Sequence, residues 1–341
     1  MKPILMKDIA KATGFSINTV SRALRDDSKL SEETRKLICD KADELGYINN
    51  SLASSMRLKH SKIIGVITAD SSNPFFADVV RGIEATAKNY NYNILLVNTG
   101  ESPDEEKQYL KLFCGRHVDG LLIVPVFDDE SIQKLYSRID IPYLFLGRVV
   151  KGIENHSILH SDYSSQKEIV NYLINKGHKK ILYLSGPDNV SNTYQRLNAY
   201  KDTLIENNID VDSQYIIPTS GHIEDGYAAV NSAINQGIKF TAICCFNDLV
   251  AMGVLKSLKE NNFDVPNEIE VFGFDNLKIS QFMQPSISTV DVPKFALGCE
   301  AVHILMAHIE DANLEYTTKN LKTRLIFRES SPREIEVMSN N

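Results

Sequence analysis

The sequence predicts a small all-α headpiece joined to an α/β body of two similar lobes, each a doubly wound parallel sheet. Three observations predict it. Residues 1–60 hold 11 Lys/Arg against 8 Asp/Glu, a net of +3, while the rest carries −10; only their average gives −7 for the 341 residues. The basic head is filled with short helical periods. From residue 62 onward, near-continuous apolar runs alternate with amphipathic stretches, the pattern of parallel strands covered on both faces. The length exceeds one ordinary core and calls for two or three domains.

The head reads as three short helices. Residues 6–13 form the first, with Ile9, Ala10 and Ala12 as its apolar face, and Gly14-Phe15 breaks it. Ser16 caps a second helix over residues 17–24, where Val20, Ala23 and Leu24 fall at i, i+3 and i+4. After the polar residues 26–30, Ser31 caps a third. Glu32 and Glu33 sit in its first turn, where the helix dipole favours them, and Gly46 ends it. A short helix, a glycine turn and a capped helix inside a basic head is the helix-turn-helix arrangement. The outward Ile17, Asn18 and Arg22 suit a thymine methyl, an adenine edge and a guanine edge. Ser16, Thr19 and Ser21 suit phosphate oxygens. Periodicity alone leaves open a three-helix bundle used for protein contacts.

In the body, residues 63–68, 93–97, 120–124 and 142–146 read as strands, separated by helices such as 75–90 and 103–116. A second series of strands, 180–184, 241–245 and 270–274, is separated by helices at 164–176, 194–208, 224–236 and 249–261. Late segments at 286–290, 294–310 and 323–327 complete the sheets by crossing between lobes. In such sheets ligands lie outside the carboxyl ends of the strands. Asp70, Asn73, Arg148, Asn247-Asp248 and Asp275-Asn276 all fall there, and facing lobes would bring them into one cleft. Carboxylates, amides and guanidiniums with an aromatic face, here Phe75 and Phe76, are what a sugar needs. Taken singly, Asn247 or Asp275 also suits a helix cap, and either Phe suits the core.

No apolar run approaches the roughly 18–20 residues that span a bilayer, and the N-terminus lacks a signal-peptide core, so a cytoplasmic protein with no membrane role is expected. The five cysteines show no CxxC spacing and read as buried free thiols. There is no GxGxxG after the first strand, no GxxxxGK[ST] loop, no GxSxG elbow and no HExxH. His303 and His308 cannot share a helical face, and His156, His160 and Asp162 read as a solvated loop. Neither catalysis nor a metal or cofactor is expected.

KDIAKATGFSINTVSRAL followed by LSEETRKLICDKADELGY resembles the headpiece of the lac repressor/galactose repressor (LacI/GalR) family of bacterial transcription regulators. IIGVITADSSNPFFADVVRGIE, VDGLLIVP, INKGHKKILYLSGP, FNDLVAMGVLKSL, VPNEIEVFGFDN and RLIFRES are similar to further family signatures in family order. The resemblance spans nearly the whole chain. It implies a periplasmic-binding-protein type I fold of two Rossmann-like lobes and a repressor that binds a near-palindromic operator as a homodimer. A sugar-like effector would control it, with a sugar phosphate or a partner protein as alternatives.

By the same resemblance residues 1–49 are the headpiece and 50–60 a hinge that folds on DNA, with Asn50, Ala53, Ser54, Met56 and Arg57 at the contacting positions. A plain flexible tether is the competing reading of that segment. Residues 61–331 are the effector and dimerisation core, its N-lobe about 61–161 and 291–322 and its C-lobe about 162–290 and 323–331. Residues 332–341 are a tail without leucine heptads, which implies a dimer lacking a tetramerising coiled coil. Effector contacts carried over are Asn73, Phe75, Phe76, Arg148, Arg196, Asn247 and Asp275. Three departures stand out: Leu5 where a capping Thr is usual, Ile48-Asn49 where a proline is usual, and Gly147 where Asp is common. The last leaves Arg148 and Arg196 offset mainly by Asp275, which points to a disaccharide or a phosphorylated sugar.

Overall fold

A computed structural model describes residues 4–25, 29–47, 60–126, 130–188 and 190–332. The chain divides into two compact units, residues 1–61 and 62–341.

In the first unit, α1 (Met6–Thr13), α2 (Ile17–Ala23) and α3 (Glu32–Glu44) enclose Ile9, Val20, Ala23, Ile38 and Ala42. Gly14 ends α1 at φ 77°, a left-handed conformation that other residues adopt only with strain, and its N–H donates to Ala10 O. Leu5 supplies no side-chain cap; the Asp8 carboxylate instead accepts the Leu5 N–H at 2.9 Å. Ser16 Oγ accepts the Thr19 N–H at 3.1 Å and Ser31 Oγ the Thr34 N–H at 3.3 Å, so both predicted caps are made.

The second unit begins with β1 (Ile63–Thr68), α4 (Pro74–Asn89), β2 (Asn93–Asn98), α5 (Pro103–Gly115), β3 (Gly120–Ile123), α6 (Glu130–Tyr136), β4 (Tyr143–Leu146) and β5 (Ser157–His160). A second series follows: α7 (Asp162–Asn175), β6 (Ile181–Ser185), α8 (Ser191–Glu206), β7 (Ile216–Pro218), α9 (Ile223–Asn235), β8 (Ala242–Cys245), α10 (Asp248–Glu260) and β9 (Glu270–Phe272). The chain closes with β10 (Thr289–Asp291), α11 (Lys294–Glu310), β11 (Lys319–Leu321) and β12 (Arg324–Ile326).

One all-parallel sheet runs β11-β5-β4-β3-β1-β2 and a second runs β7-β6-β8-β9. A short antiparallel ribbon, β10 with β12, is made from segments that connect the two sheets. The strands are buried through most of their length because helices cover both faces. Two helix pairs cross closely on glycine. On α4 and α11, a Cβ at Gly82 would stand 2.1 Å from Phe295 O, and one at Gly298 would stand 2.1 Å from Val79 O. On α9 and α10, Gly226 and Gly253 permit the same approach.

Among the described residues, no helix is long and apolar enough to cross a membrane. The cysteines are free, but only Cys244 and Cys245 are buried; Cys39 and Cys299 are partly so, and Cys114 is exposed on the outer face of α5.

Candidate functional site

On the headpiece, Ile17, Asn18 and Ser16 are exposed on the first turn of α2, Ile17 at 53 %. Thr19, Ser21 and Arg22 are partly exposed, while Val20 on the opposite face is fully buried under α1 and α3. The predicted outward set therefore shares one surface of a short rigid helix. Ser16 and Thr19 are hydrogen-bonded to each other at 2.9 Å as part of the cap, so their hydroxyls are already oriented. The hinge positions Asn50, Ala53, Ser54, Met56 and Arg57 lie outside the described residues.

In the body, β1 to β9 each deliver at least one residue to a single cleft at their carboxyl ends, with about 660 Å³ of empty space partly open to solvent. All seven predicted effector residues line it: Asn73, Phe75, Phe76, Arg148, Arg196, Asn247 and Asp275. Asn73 and Asn247 hold double positions. Asn73 caps α4, its Oδ1 accepting the Phe75 N–H at 2.9 Å. Asn247 caps α10 by accepting the Val250 N–H at 2.8 Å, and its amide donates to Gly221 O at 2.9 Å. Phe75 and Phe76 meet edge to face at 5.2 Å and 85°.

The charges are arranged differently from the sequence expectation. Arg148 is held by both Glu101 oxygens, at 2.8 and 2.9 Å, and donates to Pro125 O at 3.0 Å. Arg196, 2 % exposed, donates from Nε to Asp162 Oδ1 at 2.6 Å and to Phe246 O. Its guanidinium lies 3.5 Å from the Phe274 ring centre and 4.9 Å from that of Phe246. Each guanidinium thus has its own carboxylate, and Asp275 is not their main counter-charge. That correction removes the excess positive charge on which a phosphate preference would rest.

Asp275 is 5 % exposed, at φ 109°, and burial pushes its carboxyl up to about 7, with Arg196 and Lys294 pulling the other way and Asp248 and Asp162 reinforcing the rise. The backbone is fixed by its N–H to Val290 O at 3.0 Å and by Lys294 Nζ on its carbonyl. For Asp162, burial favours the neutral form, but His160 and Arg196 outweigh it and hold the pKa below the ordinary value.

His156, His160 and Asp162 do not form a solvated loop. His160 ends β5 and is 3 % exposed, Asp162 opens α7 and is 3 % exposed, and both side chains sit at or beside the cleft. His156 stacks between Tyr143 and Tyr316, at 4.5 and 3.6 Å. The physical reason is β5: pairing with β4 and β11 carries this segment into the sheet. Glu101, His160 and Phe246 are cleft residues that the sequence reasoning did not assign, although each follows or ends a strand, which is the signal that found the others. Among the described residues no cluster of His, Cys, Asp and Glu could hold a metal ion.

Residues 5–50 match the bacterial regulatory proteins of the lacI family, and residues 61–329 match the periplasmic binding proteins and sugar binding domain of the LacI family. The chain belongs to the LacI family. Its relatives include the HTH-type transcriptional repressor PurR of Photobacterium profundum, 30 % identical over 95 % of this chain and 98 % of that one. The HTH-type transcriptional repressor CytR of Escherichia coli K12 is 30 % identical over 96 % of each. Among solved structures, the Lac repressor dimer bound to operator and the anti-inducer ONPF superposes with a TM-score of 0.86 at 25 % identity, over 97 % of this chain and all of that one. This LacI-family chain is a DNA-binding transcription regulator with a periplasmic-binding-protein-like body, and not an enzyme.

Proposed function

We propose that this LacI-family protein is a cytoplasmic repressor whose grip on a near-palindromic operator is set by a neutral, sugar-like ligand in the cleft. The observation that carries the ligand class is the pairing of both guanidiniums, Arg148 with Glu101 and Arg196 with Asp162. A site whose cations are already neutralised pays a desolvation cost for an anion without a compensating partner. Hydroxyls suit it better: Asp275 accepts, the Asn73 amide and the guanidinium edges donate, and Phe75 and Phe76 cover an apolar ring face.

On the DNA side, Ile17, Asn18 and Arg22 are the base-reading set and Ser16, Thr19 and Ser21 the phosphate set. Residues 1–49 form the headpiece, 50–60 the hinge carrying Asn50, Ala53, Ser54, Met56 and Arg57, 61–331 the core and 332–341 the tail. A two-fold operator calls for a dimer. Ile279 and Phe282, 50 % and 70 % exposed beside Met252, Leu255 and Met283, supply an apolar patch that supports one. The Lac repressor structure, a dimer on operator, supports the same assembly.

Isothermal titration of the full-length protein against glucose, galactose, ribose, maltose and cellobiose, and against the 6-phosphates of the hexoses, tests the ligand class. Binding of at least one neutral sugar is expected. Binding of phosphorylated sugars alone contradicts the proposal.

A further inference from the structure

Neither ring nitrogen of His160 has a hydrogen-bond partner among the described residues, although the side chain is only 1 % exposed. Such a group is uncommon, because a buried donor or acceptor left without a partner costs about 1–3 kcal/mol. The surroundings do not offer a remedy. Nε2 stands 3.4 Å from Asp162 Oδ1, outside good geometry, and that oxygen already accepts from Arg196 Nε at 2.6 Å. The rings of Phe75 and Phe274 lie 6.1 and 6.4 Å away and carry no polar atom.

One edge of the imidazole is bare for a specific reason. Gly147, at φ +70°, faces it, and a Cβ there would sit 3.5 Å from His160 Cε1 and 3.8 Å from Nδ1. Any side chain at 147 would cover that edge. Both residues line the cleft, at the ends of the neighbouring strands β4 and β5.

Resting on the reading of the cleft as a sugar site, we infer that His160 hydrogen-bonds a ligand hydroxyl through the edge that Gly147 leaves open, so that this pair determines which neutral ligand the cleft accepts. A neutral imidazole offers one donor and one acceptor, which matches a hydroxyl in either direction. The Nδ1 edge does the reading, and Nε2 stays beside Asp162, which orients the ring. A ligand without that hydroxyl leaves the imidazole as unsatisfied as it is now, and sites of this kind reject deoxy analogues strongly.

The test uses the full-length protein and the tightest neutral sugar of the panel above, with the set of its monodeoxy analogues, in titration calorimetry. Wild type is expected to bind one deoxy analogue much more weakly than the parent sugar. His160→Phe, close in shape but without nitrogens, is expected to bind the parent about tenfold more weakly and to lose discrimination against that analogue. His160→Asn, whose amide oxygen stands near the Nδ1 position, is expected to restore most of both. Gly147→Ala, which covers the edge without touching the ring nitrogens, is expected to weaken the parent selectively and keeps the test open should His160→Phe fold poorly. Unchanged affinity in His160→Phe and Gly147→Ala overturns the inference and leaves the sugar reading standing, as does an equal loss for the parent and every deoxy analogue. Failure of wild type to bind any neutral sugar overturns both.

Discussion

Asp275→Asn is expected to stabilise the unliganded protein in alkaline solution while weakening its ligand binding. The wild-type carboxyl rises from the ordinary 3.8 to about 7 because it is buried. The folded state therefore binds this proton more tightly than the unfolded chain does. For an acid shifted in that direction, the stabilising contribution is complete below about pH 4 and is lost as pH climbs through about 7. At about 1.4 kcal/mol for each pH unit separating the two pKa values, full ionisation costs the folded protein about 4 kcal/mol. Between pH 5 and pH 8 the loss amounts to about 2–3 kcal/mol by the same linkage. The amide cannot ionise, and the backbone bonds to Val290 O and from Lys294 Nζ do not depend on the side chain. Asp248, raised to about 6 by burial, titrates in both proteins and cancels in the difference. Urea unfolding followed by far-ultraviolet circular dichroism, at one protomer concentration and at pH 5, 6.5 and 8, reads the effect directly. The stability of Asp275→Asn relative to wild type should grow by about 2–3 kcal/mol across that range. Parallel profiles would refute the reasoning, because they would mean that the carboxyl titrates alike in the folded and unfolded chains.

Three further outcomes are expected. Arg22→Ala should lose about 1–3 kcal/mol of preference for the specific operator over random DNA in fluorescence anisotropy, with calorimetric ligand binding unchanged; an unaltered preference removes Arg22 from the reading set. Gly298→Ala forces a Cβ to within 2.1 Å of Val79 O and should cost about 1–3 kcal/mol or more by prying α11 from α4, seen as a lower Tm; an unchanged Tm contradicts the tight crossing. Phe282→Glu places a charge in the apolar patch and should shift sedimentation at micromolar concentration from dimer to monomer, whereas an undisturbed dimer assigns the interface elsewhere.

Much of this architecture is legible in the sequence because its signals are local. The strands that carry continuous apolar runs, such as Ile63–Thr68 and Ala242–Cys245, are fully buried along most of their length and announce themselves. β5, β7 and β11 do not. β7 is a three-residue edge strand ending in Pro218, and β11, Lys-Asn-Leu, owes its extended form to pairing Lys319 with Ile158 on β5 rather than to any pattern of its own. The same distinction governs the cleft. Residues that follow a legible strand, such as Arg148 and Asp275, were found by position, and they do come together. Their partners were not: Glu101 meets Arg148 across 47 residues of chain, and Asp162 meets Arg196 across 34. No local period encodes such a pairing, so the charge balance of the site emerges only when the strands are side by side. His160 shows the consequence most plainly. Its short strand could not be read, so a residue at the wall of the cleft passed for one in solvent.

The central claim is that occupancy of the cleft controls operator affinity, and one measurement addresses it. DNA selected by the full-length protein from a random-sequence pool would be labelled, and its affinity determined by fluorescence anisotropy with and without a saturating concentration of the neutral sugar found by calorimetry. A near-palindromic selected sequence is expected, with an affinity that changes about 5- to 150-fold when the cleft is filled, the usual range of coupling between two sites. A cleft that saturates while operator affinity stays the same would contradict the account.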